Sequence, residues 1–442
     1  MREPSRKSAA LARVAVVGGG AAGLVTAVEL AAAGANPVVY EAEPSIGGVW
    51  RYEERTDSDL LSRDPDGAVV HSSMYDSLRT NLPRDLMAFR RFPFECAKDG
   101  EGDDRRFPGR REVLAYLERF AERFEVTPRL RLGTRVQSVT PMAGERPWAN
   151  GLGEPTHWCV ESTGPDGERV VAEYDAVAVC NGHYARPHVP DLPGLELFRG
   201  QAMHSHSYRR PERFSGMRVA LLGARASGVD LTVEIARHAS QVWLCDRDAT
   251  GTERFAGLEH AERRSAIARI ASAGNLVLED GSAIEAVDVL IFCTGYEFSF
   301  PFLQDADGIF SFDESGVHPL YFDLVAARAS TLAFIGLPSR IVPFPLFELQ
   351  ARFFAQTLVG TLELPDAAGR EAAADRRVEA LHAEGIARRH VLTYGDRQFA
   401  YCDRLADATG TPRLPPDFEA LYRVVEAARS QNVLGYRDAS YP

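Results

Sequence analysis

No stretch of this 442-residue sequence approaches the ~20 consecutive apolar residues that cross a bilayer, which argues against a membrane-spanning helix. Cysteine is scarce: the six, at 96, 159, 180, 245, 293 and 402, form no C-x-x-C pair and no metal-ligand spacing. That excludes a zinc ribbon or disulfide scaffold and fits a reduced, cytoplasmic chain whose cysteines are small buried hydrophobes. Positive charge is not in surplus, since the net charge is −12, so a nucleic-acid partner is not expected. A local basic pocket for cofactor phosphates stays open. The N-terminal MREPSRKSAALAR is basic, but the apolar run after it is too short for a signal peptide and reads as a first strand. The length exceeds what one core usually fills, so two domains are expected.

What is present begins with VAVVGGGAAG at 14–23, a β-branched run that ends in glycines and passes into LVTAVELAAAG, with apolar spacing near 3.6. Strand, tight turn and helix is the implied order. Gly18, Gly20 and Gly23 hold the G-x-G-x-x-G positions, which permit the turn, admit a pyrophosphate against bare backbone, and let helix pack close to strand. Phosphates would face the helix N-terminus at Ala21 and Ala22. A second apolar run, PVVYE, ends at Glu41, placed to accept from ribose hydroxyls. The bland alternative is a glycine turn in an ordinary α/β protein with Glu41 solvated.

Further along, Gly47, Gly48, Val49 and Trp50 offer a second bare-backbone approach and a flat apolar wall. Residues 53–70 are charged and read as a surface loop. Asn81 precedes Pro83 at the entrance of RDLMAFRRF, where capping a helix competes with a functional role. Residues 106–125 place Val113, Leu114, Leu117, Phe120 and Phe124 on one face of an amphipathic helix. From 129 to 180 the chain turns to β-like runs, closing with Asp175 and the strand AVAVC before Asn181 and Gly182. Proline-rich PHVPDLPG then marks a linker, with a domain change near residue 184.

Beyond it, Phe198, Gly200, His204 and Tyr208 follow the spacing F-x-G-x-x-x-H-x-x-x-Y, which no helical or strand period explains. The run RVALLGARASGVDLTVEIARHASQVWLCDRD then repeats strand, glycine turn, helix, strand. Gly223 and Gly228 hold the first and third glycine positions, with Arg225 in the second, followed by Ala226 and Ser227. The second strand ends in Asp246 and Arg247, where such folds read the ribose 2′ position: an arginine suits a phosphate, an inward carboxylate a hydroxyl. Residues 259–270 read as a charged helix. Asp288 followed by VLIFCTGY, with Thr294, Gly295 and Tyr296, mirrors Asp175 followed by AVAVCNGHY, so two such strands would bracket an inserted domain.

Together these features resemble the flavin-containing monooxygenases: the first glycine loop, the run from Glu41 to GGVW, Asn81 in SLRTNLPRDLMAF, FRGQAMHSHSY, GARASG and DVLIFCTGYEFSFPFL. Ordered agreement covers most of residues 12 to 360, and SLRTNLPRD and PFPLFELQARFFAQ are most similar to the compact sulfur-oxygenating branch of plants and its microbial relatives. The resemblance implies an α/β fold of two dinucleotide-binding, Rossmann-like domains. An NADPH-binding domain at 184–294 would be inserted in an FAD-binding domain at 1–183 and 295–442, the last part carrying C-terminal helices. It implies FAD, NADPH and O2, with oxygen adding to the reduced flavin at C4a and a soft nucleophile, an amine or thioether, taking the distal oxygen. Asn81 then falls at the position that hydrogen-bonds near the flavin, and His204 and Tyr208 are taken to organise domain contacts. Three departures stand out: Arg225 in place of a small residue, Arg209 after Tyr208 instead of Trp-Pro, and no hydrophobic C-terminal tail. The alternatives are an NADPH oxidase releasing hydrogen peroxide, a flavin-binding protein without turnover, and, more weakly, a disulfide reductase. A homodimer is left open.

Overall fold

The computed structural model describes residues 12–64, 70–95, 102–142, 157–249, 251–303, 308–313 and 316–442. Cys96 and the basic segment at 1–11 lie outside the described residues. The chain divides into two compact units: Met1–Gly48, Leu82–Gly182 and Phe300–Arg423 form the first, and Val49–Asn81, His183–Ser299 and Val424–Pro442 the second. Among the described residues no helix is long and apolar enough to cross a membrane.

The first unit starts with β1 (Arg13–Val17), α1 (Ala21–Ala32) and β2 (Asn36–Tyr40). It continues through α2 (Arg84–Met87), α3 (Arg110–Arg123), β3 (Leu130–Arg131), β4 (Arg135–Pro141), β5 (Trp158–Thr163), β6 (Arg169–Tyr174) and β7 (Ala176–Val179). β1 lies parallel between β2 and β7 in a 7-stranded sheet that also takes in Leu332–Phe334 beside β7. β1 and β7 are buried along nearly their whole length, as expected of strands in a parallel sheet covered on both faces. β4, β5 and β6 make a separate antiparallel sheet. One cover of the main sheet is α1, which packs on α5 (Pro343–Leu358) and is apolar nearly all round. Its one buried acid, Glu29, pairs with Arg91 and Arg352. In α3, Val113, Leu117 and Phe120 are buried with Tyr116, while Leu114 and Phe124 are half-buried.

The second unit repeats this plan. Arg218–Leu222 lies parallel between Gln241–Asp246 and Val289–Phe292 in a 6-stranded sheet, with α4 (Ala226–Ile235) following the second glycine loop. The correspondence reaches individual hydrogen bonds. Asp175 accepts from Arg13 N–H at 2.7 Å in the first unit, and Asp288 accepts from Arg218 N–H at 2.8 Å in the second.

Two expectations are corrected. Residues 259–270 are not helical: Ala261–Ser265 is a strand parallel to Gln241–Asp246, and Ile267–Ile270 belongs to a small antiparallel sheet. Alanine, glutamate and arginine favour a helix locally, but pairing with an already buried strand overrides that preference. The surface-loop expectation for 53–70 is corrected only in part, residues 65–69 lying outside the described residues: 53–64 form no helix or strand, but Asp57 is buried and accepts from Val70 N–H at 2.7 Å and from the Ser62 hydroxyl.

Candidate functional site

In the first glycine loop two of the three glycines are required by the protein itself. Gly18 has φ +113°, and a Cβ there would lie 2.4 Å from the Cys180 carbonyl oxygen. A Cβ on Gly23 would lie 1.8 Å from the Gly18 carbonyl oxygen, so α1 reaches β1 only because that atom is missing. Gly20 differs. Its φ of −80° and ψ of −172° suit any residue, and its nearest neighbour for a Cβ is the Gly48 Cα at 3.4 Å. Arg225 takes the same place in the second loop with φ −81° and ψ −169°, between Gly223 and Gly228, whose missing Cβ atoms are again required by the Cys293 and Gly223 carbonyls. The bare backbone at Gly20 is therefore not a packing requirement. It leaves a cradle in front of the α1 N-terminus, where Ala21 and Ala22 begin the helix, and a Cβ would fill that cradle.

Glu41, 7% exposed just past β2, borders the same turn: its Oε2 accepts from Gly19 N–H at 2.7 Å and its Oε1 from Glu43 N–H at 2.8 Å. These bonds fix the carboxylate beside the turn, in the place where a nucleotide fold meets ribose hydroxyls. Bare backbone, helix N-terminus and a fixed acid fit a dinucleotide such as FAD.

In the second unit Val49 and Trp50 are half-buried, and the Val49 carbonyl accepts from Ser72 Oγ at 2.8 Å. Asn81 is half-buried and does not cap α2, because Pro83 holds the N-cap position. Its neighbour Thr80 is held from the C-terminal segment: Arg437 Nε donates to the Thr80 carbonyl at 2.9 Å, and Arg437 Nη2 to Asp230 on α4 at 2.7 Å.

The signature residues and their neighbours organise the sheet edge and its contacts with Glu53, Arg55, Leu60 and Ser72. A Cβ on Gly200 would meet the Asp288 carbonyl oxygen at 2.3 Å and the Phe198 ring at 2.8 Å, and Gln201 N–H bonds that same carbonyl at 2.8 Å. Phe198 and Gly200 thus set the register of the Gln201–His204 strand. His204 is fully buried, its Nδ1 accepting from His206 N–H at 3.1 Å and its own N–H donating to the Leu60 carbonyl at 2.8 Å. The Tyr208 hydroxyl donates to Glu234 of α4 at 2.8 Å. Sequence reasoning missed Arg209, which is 1% exposed. It donates to the carbonyls of Glu53 and His206 at 2.6 Å, Tyr208 and Arg55 at 2.9 Å, and Ser72 at 3.3 Å. The only sequence trace of this clamp was arginine where Trp-Pro was the comparison.

Thr294, after the Val289–Phe292 strand, bonds the His188 carbonyl through its hydroxyl. Gly295 turns at φ +87°, and the half-buried Tyr296 ring stands edge-on to His204 and His206 at 5.3 and 5.8 Å. Ala226 and Ser227 are exposed at the α4 N-terminus, as is Arg247 in the turn after Gln241–Asp246. Burial, reinforced by His206, pushes the His204 imidazole from its ordinary 6.5 down to about 3. The unfolded chain takes up a proton that the folded one refuses, so this contribution to stability is complete above 6.5 and is lost as pH falls toward about 3. Urea unfolding at pH 7 and pH 5 should show His204→Gln losing about 2 kcal/mol less than wild type between the two. Equal losses would mean that His204 does not carry the acid sensitivity.

Residues 11–253 and 261–416 match the flavin-binding monooxygenase-like family. The chain belongs to that family. It is 40% identical over 432 residues to flavin-containing monooxygenase FMO GS-OX-like 4 of Arabidopsis thaliana, covering 96% of this chain and 93% of the relative. The structure of S-allyl-L-cysteine S-oxygenase from Allium sativum superposes with a TM-score of 0.92 at 38% identity, covering 98% of this chain and 96% of that one. Tmm from Pelagibacter sp. strain HTCC7211 shares the fold, with a TM-score of 0.80 at 22% identity, covering 97% and 93%. As a flavin-binding monooxygenase-like protein, the chain has the two-unit α/β architecture anticipated from its paired glycine loops, and the resemblance to plant S-oxygenating members holds.

Proposed function

We propose that this flavin-binding monooxygenase-like protein uses FAD, NADPH and O2 to transfer one oxygen atom to a soft heteroatom of a small molecule, a thioether sulfur ahead of an amine nitrogen. The Gly20 cradle is the observation that carries the reading, because the protein's own packing does not require that glycine. Preference for sulfur draws on the likeness to a garlic S-oxygenase at 38% identity. Bound FAD, once reduced by NADPH, supplies the chemistry that activates O2. The chain's part is to bind and orient: Gly18, Gly20, Ala21, Ala22, Gly23, Glu41 and Gly48 hold the flavin nucleotide. Gly223, Ala226, Ser227, Gly228 and Arg247 hold NADPH, with Thr294, Gly295 and Tyr296 shaping the adjoining turn. Asn81 offers an amide near the flavin. Oxidation of a thioether needs no general base, so no triad is required.

NADPH-dependent O2 uptake with S-alkyl cysteines and with tertiary amines tests the reading, through sulfoxide or N-oxide formed per NADPH. Peroxide equal to NADPH consumed with every substrate would favour an oxidase. Flavin that NADPH does not bleach would favour a binding protein without turnover. A thiol-based reductase is disfavoured because burial pushes the Cys180, Cys245, Cys293 and Cys402 thiols up to about 12, leaving them protonated and unreactive.

Arg247→Ala should lower kcat/KM for NADPH roughly ten- to a hundredfold, the loss of one charge-assisted phosphate contact, and leave NADH nearly unchanged. Equal losses with both nucleotides would remove Arg247 from the 2′ site.

A further inference from the structure

The end of the Gln241–Asp246 strand contains a conflict that a partner strand resolves. Alternation along the strand puts Asp246 on the same face as Leu244, and the Leu244 side chain is the one a Cβ on Gly228 would meet, at 3.3 Å. Asp246 therefore points to the side of the sheet that carries the second glycine loop and α4. A free carboxylate there accepts from a ribose 2′-hydroxyl and repels a 2′-phosphate. This carboxylate is not free. Arg263, on the neighbouring Ala261–Ser265 strand opposite Leu244, is its diagonal cross-strand neighbour and donates to Asp246 Oδ2 through both Nε, at 3.1 Å, and Nη2. The Asp246 side chain is 14% exposed and that of Arg263 30%, and Arg263 Nη1 also reaches Glu253 at 3.4 Å.

We propose that Arg263 is a specificity-determining positioning residue: by holding Asp246 in an ion pair it silences the carboxylate, so that the strand end presents Arg247 to the 2′-phosphate. This rests on reading the second unit as the NADPH site. Arg263 acts through Asp246, and the cofactor choice of this strand end is made by a residue of the next strand, outside the glycine motif.

Calorimetric titration of the FAD-loaded protein with NADP+ and NAD+ tests it. Relative to wild type, Arg263→Gln should lower the NADP+ over NAD+ affinity ratio about tenfold or more, with NAD+ binding no weaker, because an unpaired negative charge now faces the phosphate. Arg263→Lys should retain most of the preference. Adding Asp246→Asn to Arg263→Gln should restore the ratio to within about threefold of wild type. Asp246→Asn alone should stay within about threefold, and a larger rise would show that the carboxylate was never silenced, which overturns the proposal even if Arg263→Gln fails to fold. An unmoved ratio in Arg263→Gln overturns it too, as does a double variant no better than the single, since Arg263 would then touch the nucleotide itself. Arg247→Ala separates the two failures. If Arg247→Ala leaves NADP+ affinity unchanged, the 2′-phosphate reading falls; if it weakens NADP+ while Arg263→Gln changes nothing, only the present proposal falls.

Discussion

Gly20→Ala is expected to yield a folded protein that purifies nearly colourless. The position has extended φ and ψ, and a Cβ would meet only the Gly48 Cα at 3.4 Å. Removing backbone freedom from the unfolded chain at a compatible site stabilises by about 0.4–1 kcal/mol, which offsets alanine's poorer fit at the α1 N-cap that Gly20 holds, so the Tm of the flavin-free variant should stay close to that of flavin-free wild type. Bound flavin should drop to a small fraction of a mole per mole of chain, because the added methyl fills the cradle proposed for the pyrophosphate. Gly23→Ala should behave in the opposite way. Its Cβ would sit 1.8 Å from the Gly18 carbonyl oxygen, which forces α1 off β1 and costs several kcal/mol, of order 3 or more, so the variant should be largely insoluble. Full flavin occupancy in soluble Gly20→Ala would show that the loop does not receive the cofactor.

The second large effect is expected at Asn81. Pro83 occupies the α2 N-cap, so capping is not its task, and its position is maintained from outside by the bond from Arg437 to Thr80. Asn81→Ala should bind FAD and oxidise NADPH at close to the wild-type rate. Oxygenated product per NADPH should fall about tenfold or more, the loss expected for one hydrogen bond that acts on the reacting group, with peroxide making up the difference. Parallel assays of NADPH, product and peroxide decide it: wild-type product yield would show that Asn81 is not near the chemistry.

These two sites differ in how they could be found. The glycine loops were legible because part of their requirement is local: a strand, a turn and a helix within ten residues bring Gly23 against the Gly18 carbonyl, although the carbonyl that excludes a Cβ at Gly18 itself comes from Cys180. The same holds for Glu41, whose bonds to Gly19 and Glu43 follow from the parallel register of β1 and β2. Asp175 and Asp288 were legible as a pair because each opens a β-branched strand in a repeated pattern, and the fold uses them alike.

By itself the sequence determined the doubled α/β plan, the order of the two glycine loops, and the glycines in them whose backbones approach too closely for a side chain. Only the tertiary structure decided what the buried and paired arginines do. Arg209 is a fully buried clamp on carbonyls some 137 to 156 residues away in sequence, and Arg437 holds Thr80 across 357 residues. Residues 261–265, helix-forming by composition, become a strand that delivers Arg263 to Asp246. The physical reason is range. A glycine's freedom and a strand's apolar run act within a few residues, whereas a guanidinium is satisfied by whichever carbonyls and carboxylates the completed sheet brings around it, and no local pattern names them.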